Sequence, residues 1–202
     1  MALTPRVFTA ARLFGRLWPA STATVAPPPR RYDPARDPRS PTIDPPGVYI
    51  FPIDGRSPRP ENVAKVLRAI AGVPSRFRKA WQDGRGRMEL IPGVDASRHP
   101  LFTSGIPAAG YNKGVLSVVA AESRDPPRTA IHEMGHALDS ILGVSSRPDW
   151  LRLWQYARRK CGAKWWEQCE REFFAESFSY IWTGLSMYVS EDIQNYLAFR
   201  IL

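Results

Sequence analysis

His132-Glu133-Met134-Gly135-His136 sets two imidazoles four residues apart around a carboxylate, in a chain with only one other histidine, His99. A helix turns by about 100° per residue, so residues four apart lie one above the other on the same face. Both imidazoles then reach a single cation. Glu133 projects beside them, where it can take a proton from a metal-polarised water without being a ligand itself. Peptide-bond hydrolysis at neutral pH is the chemistry this pattern serves.

A catalytic zinc site needs three protein ligands and one open position. The position ten residues after His132, where a third histidine could complete the set, is Leu142, and His99 lies upstream in a loop-like Ser-Arg-His-Pro stretch. Acidic residues downstream are the better source. Glu172 and Glu176 are four apart in an amphipathic, aromatic-rich run over residues 163–182 that Gly184 closes. Carboxylates among so many aromatics are costly to bury unless they are paired or hold a metal. The competing assignment leaves one glutamate solvated and pairs the other with Arg171 or Lys164.

The elements around the motif follow from local chemistry. Asp125-Pro126 reads as a helix start, an acidic cap followed by proline at the first helical position. Ala130, Ile131, Met134, Ala137, Leu138, Ile141 and Leu142 recur at helical spacing, and Gly143 supplies the stop. Upstream, residues 109–114 are dense in turn formers, and Val115-Leu116-Ser117-Val118-Val119 reads as a strand. Val115, Leu116, Ser117 and Val118 are therefore candidates for an edge that pairs with an extended substrate, or for an ordinary core strand. Further strands are expected at 48–51 and 88–91. Helices are expected at 60–71, 75–81, 148–160, 163–183 and, behind Ser190, 191–201. Strands mostly first and helices later make an α+β domain.

The formal charge of +9 is unevenly placed. Residues 1–39 carry seven arginines against Asp33 and Asp37, so more than half of the excess sits in the front of the chain. The weakly basic remainder argues against nucleic acid as the main ligand. Residues 7–18 form an arginine-bearing amphipathic pattern whose charges break any secretory core. It is consistent with a disordered terminus, an organelle transit segment, a leader for non-Sec export, or a membrane-surface helix. Residues 27–46, rich in proline, read as an extended linker. The division is thus a basic leader and linker at 1–46 and a catalytic domain at 47–202. With 44% apolar residues a core is available, and no apolar run is long enough to span a membrane. Cys161 and Cys169 do not form a zinc signature. Eight helical residues would hold them about 12 Å apart, too far for a disulfide unless Gly162 breaks the helix.

The stretch from His132 through Ala137-Leu138-Asp139, followed by Glu172-Phe173-Phe174-Ala175-Glu176-Ser177-Phe178, resembles the catalytic domain of anthrax toxin lethal factor and the related Pro-Pro endopeptidases, over about residues 105–185. The resemblance implies a zincin-like fold: a small mixed sheet, an active-site helix and a helical C-terminal half. It implies Zn2+ held by His132, His136 and Glu172, with Glu133 as general base and Glu176 supporting the ligands from behind. It also implies a peptide or protein substrate bound extended, a monomeric enzyme and a secreted, toxin- or effector-type protease. That family usually places a tyrosine seven residues before its third ligand. Trp165 stands there in this chain, and an indole N–H donates a hydrogen bond but supplies no acid. Tyr111, Tyr156 and Tyr180 are the candidates to replace it in oxyanion or substrate contacts. A catalytically weak or inactive zinc-binding interaction module is the alternative that Trp165 supports.

Overall fold

The computed structural model describes residues 42–43, 47–100, 110–161 and 169–201, and at 42–43, 110–113 and 161 it describes the backbone alone. All of them lie in one compact unit, Asp33–Leu202. The basic pattern at 7–18, most of the proline-rich linker, and Lys164 and Trp165 fall outside the described residues.

Among the described residues five strands form one mixed sheet: β1 (Thr42–Ile43), β2 (Val48–Ile50), β3 (Arg87–Ile91), β4 (Gly110–Lys113) and β5 (Leu116–Ala120), in the spatial order β1-β2-β3-β5-β4. The central three are parallel, and the two flanking strands run antiparallel to their neighbours. This corrects the edge expectation. β5 is paired on both sides, by β3 and β4, so Leu116, Ser117 and Val118 have no open ladder, and Val115 belongs to the turn that joins the hairpin. Among the described residues the edge on that side is β4. Its Gly-Tyr-Asn-Lys sequence reads as a turn, and pairing with β5 makes it a strand.

Side chains alternate along a strand, so the register sorts them into two faces. Val48, Met88, Leu90 and Val119 enter the main core with the helices. Ile91, Val118 and Ala120 face the other way, beneath Ile53, Phe51 and Ala96 of the short turn at Ala96–Arg98. All of β3 is buried, which forces the charges of Arg87 and Glu89 to find partners inside.

Among the described residues the helices are α1 (Pro60–Gly72), α2 (Ser75–Asp83), α3 (Pro126–Leu142), α4 (Pro148–Cys161), α5 (Glu170–Trp182) and α6 (Glu191–Phe199). None of the described helices is long and apolar enough to cross a membrane. α3 is the hub, packing on the sheet through β5 and on α1, α2 and α5. Its ends are those the cap residues dictate. The Asp125 side chain accepts from Arg128 N at 3.2 Å, and Gly143 leaves the helix in the left-handed region at φ 62°. α5 presents Phe173, Phe174 and Phe178 to the core, where Trp150 of α4 packs on the first two. Trp150 Nε1 donates to Glu170 O at 3.1 Å and so fixes where α5 begins.

Candidate metal centre

The site forms where α3 and α5 cross, and the crossing is close because of one residue. A β-carbon on Gly135 would lie 2.9 Å from Ala175 Cα, closer than real contacts allow. The central Gly of the motif is therefore a packing requirement. The pairs that meet run in opposite chain senses, so the helices are antiparallel: Arg128 and His132 meet Glu176, His132 and His136 meet Glu172, and Asp139 meets Arg171. Spacing of three and four on α5 puts Glu172, Ala175 and Glu176 on one face, aimed at His132, Gly135 and His136.

Nε2 of His132 lies 3.1 Å from Nε2 of His136 and 3.4 Å from Glu172 Oε2, while His136 Nε2 lies 3.2 Å from Glu172 Oε1. One donor atom from each residue falls within 4.8 Å of the others. A tetrahedral shell with bonds of about 2.0–2.1 Å would set its donors about 3.3–3.4 Å apart. The donor spacings and the set itself, two imidazoles and a carboxylate, fit a divalent ion of the zinc type. His132 Nδ1 is engaged on its far side by Glu176 Oε2 at 3.0 Å, which leaves Nε2 to face the cluster.

Electrostatics agree with a site built for positive charge. Burial alone would lower the His132 pKa, but hydrogen bonds with Glu172 and Glu176 and the nearby Glu133 outweigh it and push it up to about 9. Hydrogen bonds from His132 and His136 hold Glu172 far below the usual carboxylate range, against the opposing effect of burial. Burial also opposes ionisation of Glu176, yet His132 and Arg128 keep its pKa low. Glu133 is different. It is almost fully buried, and burial raises its pKa while the two imidazoles pull it down. A carboxyl poised in this way suits proton transfer.

The other sequence candidates lie elsewhere. Tyr180 sits behind the ligands: it hydrogen-bonds Glu176, and its ring lies under the Arg128 guanidinium, 4.6 Å from the centroid. That is the Nδ1 side of His132, opposite the donor cluster. Tyr156 is exposed on α4 with Lys160 over its ring, and among the described residues no hydrogen bond or ring contact ties it to the imidazoles. β4 pairs Tyr111 with Val118, and the Tyr111 side chain lies outside the described residues. His99 is buried against Glu89 at 2.7 Å, on the sheet face turned away from the helices. Arg171 pairs with Asp139 at 3.3 Å and not with either glutamate. Arg128 is the residue the sequence reading passed over. The signal was present: Arg128, His132 and His136 form a stripe of period four on α3.

No family model matches the chain, and no curated protein does. Among solved structures it is similar to the Pro-Pro endopeptidase PPEP-2 from Paenibacillus alvei, with a TM-score of 0.52 and 15% sequence identity, over 75% of this chain and 91% of that one. At that identity the likeness is one of fold, and the fold is peptidase-like.

Proposed function

We propose that this chain is a zinc-dependent endopeptidase of the lethal-factor-like and Pro-Pro endopeptidase kind. The observation that carries the proposal is the convergence of His132, His136 and Glu172, from two helices, on one point beside the buried carboxyl of Glu133. A bound divalent ion supplies Lewis-acid polarisation of a carbonyl and acidification of a water. The chain's own residues do the rest. His132 and His136 present Nε2, and Glu172 presents its carboxylate from the opposite helix. Glu176 keeps His132 in the tautomer that leaves Nε2 unprotonated for the ion. Glu133 accepts a proton at its carboxylate, helped by a raised pKa, and returns it to the leaving amine.

The fold likeness to a Pro-Pro endopeptidase suggests a preference for proline near the cleaved bond, in a substrate held extended. Metal analysis of the purified protein, with a peptide-library digest by wild type and Glu133→Ala, tests the proposal. Glu133→Ala is expected to retain its metal and lose about 100- to 10,000-fold in hydrolysis. A variant that holds metal and cleaves like wild type removes Glu133 from the base role. The second reading, a metal-holding interaction module without turnover, is favoured by Trp165 in place of the family tyrosine. It predicts stoichiometric zinc and no cleavage by wild type of any peptide in the library.

A further inference from the structure

Glu176 anchors His132, and something must in turn anchor Glu176, because a glutamate side chain has several rotamers of similar energy. Arg128 stands one helical turn before His132 on the same stripe of α3. Its Nη2 donates to Glu176 Oε1, while Glu176 Oε2 faces His132 Nδ1. Each carboxylate oxygen thus has its own partner, and the two partners rise from successive turns of one helix. The Tyr180 ring, two turns from Glu172 along α5, backs the guanidinium, and Tyr180 also hydrogen-bonds Glu176. Arg128 is itself held at its root, since its backbone N–H is capped by Asp125.

We infer that Arg128 is a positioning residue for the metal centre, which fixes the His132 ring through Glu176 and is braced for that task by Tyr180. This role rests on the proposed metal site. Geometry favours it over a merely stabilising ion pair. The Glu176 carboxylate is shared between Arg128 and the imidazole whose other nitrogen faces the donor cluster, so the pair is directed at His132. The planar fork and the stacked face are also properties of arginine that lysine lacks.

The test uses the full chain loaded with cobalt(II), whose absorption bands report coordination geometry, and follows cobalt release to a chelator. Arg128→Ala is expected to release cobalt about ten-fold faster than wild type, with altered bands, because partners behind the ligands set metal affinity by 10–100-fold. Arg128→Lys keeps the charge without the fork or the stack, and should fall between the two; it also serves if Arg128→Ala does not fold. Val66→Ala, a core truncation on α1, controls for general loosening and should release cobalt at the wild-type rate. Wild-type release from both Arg128 variants, or equal acceleration in Val66→Ala at a similar fall in melting temperature, overturns the role of Arg128. A wild-type chain that takes up no cobalt overturns the metal site, and this role with it.

Discussion

On β3, Glu89 stands between Arg87 and His99; on α5, Glu172 stands before His132 and His136. Both groups are sheltered mixtures of histidine, glutamate and arginine, yet they are wired in opposite ways. Glu89 spends one oxygen on Arg87 Nη2 at 2.6 Å and the other on His99 Nε2 at 2.7 Å, while Phe51 covers the imidazole with ring centroids 4.5 Å apart. Every charge there is matched to a neighbour, and the contacts diverge from the carboxylate. In the α3–α5 group two ring nitrogens and a carboxylate converge, with donor separations of 3.1 to 3.4 Å. The protein interior tolerates the first because it is compensated in place. The second is a set of donors that a cation, or in its absence a proton, could complete. Convergence of lone pairs, and not the presence of His and Glu, separates a metal site from a structural ion cluster.

The largest test of this contrast removes a converging donor. Glu172→Ala or His132→Ala should cost more metal affinity than the 10–100-fold typical of outer partners, as read by competition with a chromogenic chelator. Zinc bound as tightly by Glu172→Ala as by wild type would mean that Glu176 or another group supplies the third ligand. Gly135→Ala comes next. Its new β-carbon meets the backbone of Ala175, so the helices must separate and carry Glu172 away from the imidazoles. Overpacking costs about 1–3 kcal/mol, partly offset by about 1 kcal/mol of helix propensity. The expected outcome is a modest loss of stability with a fall in zinc affinity of about ten-fold, the scale of a disturbed ligand environment. A Gly135→Ala protein with wild-type affinity would show that the close approach of the helices does not matter to the site.

The two regions also differ in how far they could be read beforehand. α3 was legible because its signals are local: Asp125 and Pro126 begin it, the apolar residues keep period 3.6, and Gly143 ends it. Glu172 was legible as a candidate because a carboxylate among phenylalanines is conspicuous. Its preference over Glu176 came with the family resemblance, since spacing alone treats the two alike. Arg128 shows on the α3 stripe, but its partner does not, because Glu176 lies 48 residues away in sequence and only the crossing of α3 and α5 brings them together. β4 failed for a related reason. Gly110-Tyr111-Asn112-Lys113 has turn chemistry and no alternation, and becomes a strand through the ladder to β5. The Arg87–Glu89–His99 cluster likewise needed the sheet register and the return of the chain at Ala96–Arg98 before its charges could be matched.

A pH experiment sharpens the idea that a proton takes the place of the cation. In the metal-free protein the His132 pKa is raised from 6.5 to about 9. Its contribution to stability is therefore complete below pH 6.5 and is lost as the pH rises through 9. The loss is at most roughly 3–4 kcal/mol. The depressed Glu172 acts on the other side, contributing above pH 4.5 and losing its effect as acid protonates it. Chelator-treated protein should then melt at progressively lower temperature from pH 6.5 to 10, while zinc affinity rises over the same range as the competing proton leaves. A flat melting profile in that window would show that His132 is not carrying the charge the cluster demands.

The smallest expected effect on the centre comes from the other histidine. His99→Gln leaves a donor for Glu89 and removes the ring packed on Phe51, so the fold should lose about 1–3 kcal/mol, measured by denaturant unfolding. Zinc affinity should not change, because the cluster lies on the sheet face turned away from α3. Paired with His132→Ala, the substitution separates two meanings of a buried histidine. One variant should lose stability and keep the metal; the other should lose the metal, and with it the stability that metal binding adds. Should His99→Gln weaken zinc binding as severely as His132→Ala, the two groups would be energetically one, and convergence would no longer distinguish them.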